Sequence, residues 1–480
     1  MGPLALCCGM TSRPALVWFR NDLRISDNPA LQAAAKSGAP IIALYVLEEA
    51  KGLRTMGAAW RWWLAGSLRN LSGNLSKLGV SLVLRRGDPR KIIAEIARDA
   101  KIGAAFWNRR YVAAETTLDI EIEQHLLAQD CPVETFNASL LNEPWDVKSK
   151  ADGPIRVFTP YYRASEERGN PREVIGDIRK LNAEKAPKSD DLNDWNLEPS
   201  KPNWAKDMNS AWARGEDGAK ERLKDFLNNA LKGYAEHRDR PDIDGTSRLS
   251  PYLAHGEISP HQIAEALPAR GRDADKLRAE LAWREFSYHL LHHYPDLAQK
   301  NFQHRFDAFP WREDNKALKR WQRGLTGYPI VDAGMRQLWR TGWMHNRVRM
   351  VCASFLIKHL LLDWRLGEAW FWNTLVDADP ANNAASWQWV AGSGADAAPY
   401  FRVFNPILQG EKFDPDGAYV RNWIPEIGGL PNEFIQKPWT ASPIELAAAG
   451  IELGKTYPAP IVDHQEARER ALRAFQTLKG

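Results

Sequence analysis

The sequence has few cysteines and no long apolar run. Its 480 residues include only four cysteines, Cys7, Cys8, Cys131 and Cys352, which are too few for a disulfide framework and lack the spacing of a zinc site. No apolar run reaches the roughly 18 residues that a membrane helix needs. The opening residues, MGPLALCCGM, lack the basic segment of a secretion signal. These absences predict a soluble protein of the reducing cytosol, without a membrane partner.

The overall composition is that of an ordinary globular protein. Charged residues make up 26% and hydrophobic residues 44% of the chain, which excludes a disordered or fibrous protein. The length indicates two or three domains. A net charge of +4 and a pI near 8.7 favour a polyanionic partner only if the positive charges cluster on one face.

Tryptophan is the unusual component. The chain has 21 tryptophans, and 12 of them fall between Trp283 and Trp439. Such rings either anchor a large helical core or offer surfaces for stacking and for electron transfer. Abundance alone leaves both interpretations open.

The first 140 residues alternate apolar runs with helical patterns. Five strands are predicted at Ala15–Phe19, Ile41–Leu47, Ser81–Arg86, Ala104–Asn108 and Val133–Asn137. Helices are predicted between them near Asn28–Lys36, Gly57–Leu78, Pro89–Asp99 and Glu115–Gln129. Apolar strands joined by helical crossovers are typical of a doubly wound parallel α/β sheet. The first strand is followed by RNDLR rather than a G-x-G-x-x-G loop, which argues against a standard dinucleotide site there.

The rest of the chain divides into a connection and a helical region. Pro, Asn, Asp and Lys dominate the stretch up to Gly215, which is typical of a long surface linker. After Glu216 the pattern becomes helical, and VRMVCASFLIKHLLL is apolar nearly all round, which predicts a buried central helix. We therefore predict an α/β domain at 13–145, a linker at 146–215 and a larger all-helical domain at 216–480.

Three segments combine residues that are suited to ligand binding. Residues 245–256, GTSRLSPYLAHG, offer N–H groups and hydroxyls for phosphate oxygens, with Thr246 or Ser247 as helix caps. Glu280, Trp283 and Arg284 share one helical turn and suit base stacking and hydrogen bonding. A capped loop and a helix with ion pairs are the plain structural alternatives.

The third segment is GWMHNRVRM at 342–350. Arg349 precedes an apolar run and needs a buried partner, for which Asp377 and Asp379 are the candidates. The alternative is a helix capped by Asn346 with solvated arginines. His289, His292 and His293 lack a further ligand at metal spacing, and we interpret them as residues of a helix face, not a metal site.

Taken together, the segments resemble the photolyase/cryptochrome family. The matching sequences are LVWFRNDLRISDNPAL, GTSRLSPYLAHGEISP, TGYPIVDAGMRQLWRTGWMHNRVRM and DADPANNAASWQW through GADAAPYFRVFNP. The chain is most similar to bacterial cyclobutane pyrimidine dimer photolyases of the class III type. The resemblance implies an N-terminal α/β domain and a helical domain that binds FAD in a folded conformation.

The resemblance also implies the residues that hold FAD. The phosphate side is implied to be contacted by Tyr234, Arg238, Thr246, Ser247, Leu249 and Ser250. The flavin ring is implied to be contacted by Asn346, Arg349, Asp377, Asp379 and Asn383, with Asn383 facing N5. A neutral amide there tolerates a negatively charged reduced ring better than the carboxylate of plant cryptochromes. This position therefore favours repair over signalling.

The same resemblance implies a DNA site and an electron relay. Glu280, Trp283, Met350 and Trp389 match the pocket for a flipped pyrimidine dimer, beside the catalytic Asn346 and Asn383. Arg347 and Arg402 match contacts to DNA phosphates, and Trp387, Trp364 and Trp311 match a photoreduction triad. The implied activity is repair of cyclobutane dimers by an electron from light-excited reduced FAD, in a monomeric enzyme acting on ultraviolet-damaged DNA. The alternative is a cryptochrome-like blue-light photoreceptor without repair activity.

An antenna pigment is implied as well. Glu115 aligns with a carboxylate that binds the pterin of 5,10-methenyltetrahydrofolate, although Ala114 replaces the family's Asn just before it. We expect this folate as the antenna, with a deazaflavin as the alternative.

Overall fold

A computed structural model describes residues 13–149, 152–169, 172–397 and 401–479. Cys7 and Cys8 lie outside the described residues. Cys131 and Cys352 are both buried free thiols.

The N-terminal part is a five-stranded parallel sheet. Its strands are β1 (Ala15–Phe19), β2 (Ile41–Glu48), β3 (Leu82–Gly87), β4 (Ala104–Asn108) and β5 (Val133–Phe136). They lie in the order β3-β2-β1-β4-β5, with every neighbouring pair parallel. All five residues of β1 are buried because helices cover both faces of the sheet. The predicted doubly wound α/β domain is confirmed.

The helices of this domain are α1 (Pro29–Lys36), α2 (Ala58–Lys77), α3 (Pro89–Ala100) and α4 (Ala113–Leu127). Asn28 and Asp88 begin α1 and α3, where each side chain accepts a hydrogen bond from a backbone N–H of the first turn and is followed by proline. Such caps satisfy donors that the helix itself cannot pair. Predicted and observed boundaries in this domain differ by at most two residues.

The stretch predicted as a long surface linker contains helices, and part of it is buried. The stretch contains α5 (Phe158–Arg168), a short 3₁₀ turn at Leu192–Trp195 and α6 (Lys206–Ala211). Phe158 and Tyr161 are buried and belong to a cluster with residues of the helical region. Burial of these two rings, three residues apart on one helix face, stabilises α5 within an otherwise polar segment.

The remainder is helical, as predicted. Its helices are α7 (Glu216–Asp225), α8 (Tyr234–His237), α9 (Ser250–Ala254), α10 (Pro260–Ala266), α11 (Arg272–His293), α12 (Asn315–Gln322), α13 (Pro329–Thr341), α14 (Asn346–Ser354), α15 (Trp364–Thr374), α16 (Pro380–Ala391), α17 (Pro406–Phe413), α18 (Ala418–Trp423), α19 (Asn432–Ile435), α20 (Pro443–Ala448) and α21 (His464–Gln476). Shorter 3₁₀ turns lie at His304–Ala308, Pro425–Ile427, Pro438–Thr440 and Thr477–Lys479, and π turns follow α7 at Phe226–Ala230 and α14 at Phe355–His359. Among the described helices, none combines the length and apolar character that crossing a bilayer requires.

Helix α14 and its π turn form the predicted central helix. From Val351 to Leu362 every residue is buried. The helix begins earlier than predicted, and its N-cap is His345, whose Nδ1 accepts the backbone N–H of Arg347 at 3.2 Å. The alternative in which Asn346 caps this helix was therefore wrong.

The segment after β1 joins the two parts of the molecule. Arg24 is fully buried, and its Nη1 donates to the carbonyl of Gly256 at 2.9 Å. Gly256 has φ +66°, and a Cβ there would lie 2.0 Å from the carbonyl oxygen of Asn21. The Glu216 carboxylate accepts the N–H of Ile25 at 2.8 Å. RNDLR therefore serves as a joint between domains at the carboxyl end of the sheet.

Candidate functional site

Arg349, Asp377 and Ser250 form a connected polar cluster. Arg349 Nη2 lies 2.8 Å from Asp377 Oδ2, and the same oxygen accepts the Ser250 hydroxyl at 2.7 Å. Arg349 Nε donates to the carbonyl of Met344 at 2.7 Å. Of the two candidate partners of Arg349, Asp377 and Asp379, the structure pairs it with Asp377. The cluster joins α9, α14 and the segment before α16, so residues implied for the phosphate side and for the flavin ring lie together.

Asp379 has a different environment from Asp377. Its side chain caps α16 by accepting the backbone N–H groups of Ala381 and Asn382 at 3.0 and 2.7 Å. Its second oxygen accepts the Tyr288 hydroxyl at 2.7 Å. Asp379 thus fixes the start of the helix that carries Asn383.

Asn383 is buried and held by Glu368. Its Nδ2 donates to Glu368 Oε1 at 2.8 Å and to the Glu368 carbonyl at 3.1 Å. Both amide hydrogens are used, which leaves the oxygen Oδ1 as the remaining hydrogen-bonding atom of the side chain. The orientation of the amide is therefore defined by its partner on α15.

Aromatic rings meet at the predicted lesion pocket. Trp283 stacks on Phe158 with ring centroids 3.7 Å apart and planes 7° apart. Trp389 Nε1 donates to the carbonyl of Asp396 at 3.0 Å, and Asp396 Oδ2 accepts the N–H of Phe158 at 3.3 Å. Trp283, Trp389 and Met350 are each half-buried. These contacts hold the two tryptophans in place and leave part of each ring uncovered.

Glu280 and Arg238 form an ion pair at the edge of this region. Their second contact, from Arg238 Nη2 to Glu280 Oε2, measures 3.0 Å, and Lys276 Nζ lies 3.2 Å from Glu280 Oε1. The Arg238 guanidinium lies 5.9 Å from the ring centre of the buried Tyr234. Arg238 therefore connects the implied phosphate-side residues to Glu280.

The predicted DNA contacts line one open cavity. The cavity has a volume of about 440 Å³ and is lined by Glu236, Asp239, Arg240, Arg347, Arg402, Gln409, Lys412 and Phe413. Arg347 Nη2 pairs with Asp239 at 2.8 Å, whereas Arg402 is exposed. Four of the eight lining residues are cations and two are carboxylates, so the lining carries a net charge of +2.

The GTSRLS segment is shaped by backbone contacts. Arg222 donates from Nε to the carbonyl of Ser247 at 2.8 Å and from Nη2 to that of Thr246 at 2.9 Å. Arg248 lies in the left-handed region at φ +51°. Leu249 is the N-cap residue of α9 without a side-chain cap, so the proposal that Thr246 or Ser247 caps this helix was wrong. Their hydroxyls remain half-buried at the turn.

The three tryptophans implied as a relay differ in burial. Trp387 and Trp364 are buried, and Trp364 Nε1 donates to Asn301 Oδ1 at 3.0 Å. Trp311 is half-buried and packs against the same cluster. Trp321 is also fully buried and lies edge to face with Trp387 at 6.3 Å. The progression from buried to half-buried rings runs in the order that the resemblance implies.

Glu115 lines a narrow cleft between the domains. The cleft is also lined by Tyr288 and Pro380, and its volume is about 30 Å³. Arg110 also lines the cleft, and its guanidinium pairs with Glu48 at 2.9 Å and lies 3.9 Å from the Glu115 carboxylate. Burial raises the pKa of Glu115 to about 7. This space suits a water molecule rather than a pterin ring, so a pigment would require side chains to move.

The histidines of α11 are part of its packing. His289 Nδ1 lies 2.8 Å from the carbonyl of Pro144, and its Nε2 accepts the N–H of Ile155 at 3.0 Å. His292 and His293 contact each other edge to face at 4.9 Å. In the part of the chain that the structure describes, no group of three His, Cys, Asp or Glu residues is arranged to hold a metal ion.

Family models match both parts of the chain. The model for DNA photolyase matches residues 15–180, and that for the FAD binding domain of DNA photolyase matches residues 277–477. The deoxyribodipyrimidine photo-lyase of Agrobacterium fabrum is 52% identical over 98% of this chain and 99% of its own. The chain belongs to the photolyase/cryptochrome family. It therefore contains the FAD-binding domain of that family.

Individual members of the photolyase/cryptochrome family differ in how similar they are to this chain. A bacterial class III photolyase from Agrobacterium tumefaciens has a TM-score of 0.95 and 51% identity, covering 99% of this chain and 100% of that one. Cryptochrome-1 of Arabidopsis thaliana is 36% identical over 97% of this chain and 70% of its own. The two Agrobacterium photolyases are thus more similar to this chain than this cryptochrome is.

Sequence reasoning missed four residues of the site. Phe158 and Asp396 contact Trp283 and Trp389, Glu368 accepts the Asn383 amide, and Arg54 pairs with Glu368. Phe158 had a detectable signal, since FTPYYRASEER carries aromatic residues at helical spacing. The other three act through contacts that no local pattern indicates.

Proposed function

We propose that this protein is a light-driven deoxyribodipyrimidine photo-lyase of the class III type, which repairs cyclobutane pyrimidine dimers in DNA as a cytosolic monomer. The observation that carries the proposal is that α11, which carries the half-buried Trp283, packs against α16, which carries Asn383 and the half-buried Trp389. The 52% identity to a deoxyribodipyrimidine photo-lyase over nearly the whole chain supports it.

The side chains present fit a flavin dinucleotide. Asn346 and Ser250 lie at the first positions of α14 and α9 and are exposed, although neighbouring residues of both helices are buried. Helix N-termini and the hydroxyls of Thr246 and Ser247 suit a diphosphate. The amide oxygen of Asn383 and the Arg349–Asp377 pair suit the polar edge of a flavin ring. We assign Tyr234, Arg238, Leu249 and Asp379 to the walls of the same site.

The residues around the lesion would bind and orient it. A dimer is extruded more easily than a normal pair because its stacking and pairing are already weakened. Trp283 and Trp389 would stack on it, Met350 would fill the floor, and Glu280 would accept a hydrogen bond from a base edge. Arg347 and Arg402 would bind flanking phosphates, which position a duplex without reading its sequence.

The reaction requires orientation and exclusion of water more than acid–base chemistry. Reduced FAD, when bound, would supply light-driven one-electron chemistry to the dimer. Asn383 would hold a neutral oxygen toward the ring, and Arg349 would place positive charge beside it. Trp387, Trp364 and Trp311 would carry electrons inward from the surface to restore the reduced cofactor.

For the antenna we propose 5,10-methenyltetrahydrofolate at Glu115, with a deazaflavin as the second candidate. The two pigments absorb at different wavelengths, so the absorption spectrum of the purified protein distinguishes them. A spectrum with flavin bands alone would refute the antenna proposal and leave the repair proposal standing.

A repair assay tests the proposal. Purified protein with its flavin reduced is mixed with an oligonucleotide that contains one thymine dimer, under blue light and in the dark. We expect thymines to be restored in the light only. Intact dimers in both samples, with the flavin still photoreducible, would favour the alternative of a cryptochrome-like photoreceptor. The 36% identity to Cryptochrome-1 is the observation that supports this alternative.

A further inference from the structure

Arg54 lies far from Asn383 in sequence but next to its partner in space. Its Nη1 and Nη2 donate to Oε1 and Oε2 of Glu368, both at 2.8 Å, across 314 residues of chain. Glu368 Oε1 is the same atom that accepts the Asn383 amide at 2.8 Å. A continuous chain of charge-assisted hydrogen bonds therefore runs from the N-terminal domain to the residue implied to face flavin N5.

The backbone around Arg54 is held tightly against α15. Trp372 Nε1 donates to the carbonyl of Thr55 at 2.9 Å, and Ala58 N–H donates to Asn373 Oδ1 at 3.1 Å. A Cβ at Gly57 would lie 1.9 Å from the Trp372 carbonyl oxygen. The Arg54 guanidinium stacks 4.0 Å above the Trp372 ring. Such constraints from several directions are typical of a precisely placed side chain.

The pairing helps to fix which end of the Asn383 amide is presented. The Glu368 side chain is only 5% exposed, and Arg54 donates to both of its oxygens while Asn383 donates to one. Without Arg54, the Glu368 carboxylate would lose the two donors that fix its position beside the amide. The amide would then be held mainly by the Glu368 main-chain carbonyl, at 3.1 Å, and its Oδ1 would be presented less firmly.

We infer that Arg54 is a positioning residue that acts through Glu368 to hold Asn383 Oδ1 toward the flavin. The inference rests on the proposed function, because it takes Asn383 to face flavin N5. A carbonyl oxygen there accepts the N–H that the reduced ring carries at N5, whereas an NH₂ group favours the unprotonated nitrogen of the oxidised ring. Arg54 thus favours the reduced state that repair requires.

The test measures the ratio of reduced to oxidised bound flavin against a reference dye at fixed potential and pH. Arg54→Met in the flavin-loaded protein should lower this ratio about two- to tenfold, the range expected for one net hydrogen bond. Arg54→Lys should recover part of the loss, because lysine keeps the charge but not the forked geometry. Arg85→Met removes the arginine of another Arg–Glu pair of the sheet domain, 3.1 Å from Glu95, and should leave the ratio unchanged.

A double-mutant cycle makes the test specific to the pathway. Because Arg54 is inferred to act through Glu368, adding Arg54→Met to Glu368→Gln should cause little further change. An unchanged ratio in Arg54→Met, or full additivity in the double variant, would overturn the inference. If Arg54→Met loses its flavin, an unchanged ratio in Arg54→Lys overturns it equally. A parent protein without flavin would instead count against the proposed function.

Discussion

The two candidate pigment sites differ in how completely the protein has formed them. In the helical region, Arg349, Asp377 and Ser250 bond to one another and join α9, α14 and the segment before α16. At the domain boundary, Glu115 faces a cleft of about 30 Å³ in which Arg110 is already paired. In the first site, residues from three parts of the helical region are brought together, whereas the second is closed by the ion pairs of Arg110 with Glu48 and Asp119. The flavin assignment therefore has a geometric basis, and the antenna assignment depends on the resemblance alone.

The largest expected effect concerns the polar cluster of the first site. Arg349→Met should cost about 3–5 kcal/mol, because Asp377, with a 2% exposed side chain, would lose its charge partner. We expect the flavin-to-protein ratio of the purified variant to drop sharply, with a lower free energy of unfolding. Arg336→Met, which removes a similarly buried arginine from its pair with the more exposed Glu426, should keep its flavin. Equal flavin content in both variants would contradict the preformed site.

The tryptophan relay gives the second prediction. Trp387→Phe replaces an oxidisable indole by a ring that does not give up an electron readily, so photoreduction of oxidised flavin should lose most of its rate. Repair by enzyme that has been reduced beforehand should stay close to that of the parent. Trp321→Phe, at a buried ring 6.3 Å from Trp387, is the matched control. If Trp321→Phe lost photoreduction and Trp387→Phe did not, Trp321 rather than Trp387 would be the electron-transfer residue.

Stacking on the lesion gives the third prediction. Trp283→Ala should weaken binding of dimer-containing DNA by about 1–3 kcal/mol if the ring stacks a base. Affinities for damaged and undamaged duplex are compared at one salt concentration, since phosphate contacts depend on salt. Trp339→Ala, at a tryptophan that is 52% exposed, should change neither. Unchanged lesion affinity with a loss of stability would make Trp283 a core residue that packs on Phe158.

The smallest expected effect concerns the cleft. Because burial raises the pKa of Glu115 from 4.5 to about 7, the folded protein binds an extra proton between these values. The stability of the parent should therefore fall, relative to Glu115→Gln, as the pH rises through that range. Denaturant unfolding at pH 5 and pH 8 measures this difference. Glu121→Gln, at an exposed glutamate of α4, is the control: its stability relative to the parent should not change with pH. If the stability difference between the parent and Glu115→Gln is also the same at both pH values, the Glu115 carboxylate is exposed to water in the folded protein.

Local patterns predicted the fold better than they predicted the site. Continuous apolar strands and helix caps such as Asn28 and Asp88 act within a few residues, so the sheet and most helices were predicted closely. Helix α5 was missed because its buried Phe158 and Tyr161 stand in a polar stretch, and their partners lie on distant helices.

The site depends on contacts between distant parts of the chain. Because Arg349 lies beside an apolar run, the sequence predicted that it would need a buried carboxylate as its partner. Asp377 and Asp379 were the two candidates. Nothing local to Glu368 or Arg54 indicates that they meet, because their contact spans 314 residues. Their roles emerged only when the fold had brought α15 against the segment before α2.

The most direct test of the central claim is the fluorescence of the reduced, protein-bound flavin. If the flavin ring lies beside Trp283 and Trp389 and passes an electron to the dimer, a dimer-containing oligonucleotide should quench this fluorescence, and an undamaged one of the same sequence should not. Quenching should diminish in Trp283→Ala at equal flavin content. Equal fluorescence with both oligonucleotides at saturating concentration would contradict the account.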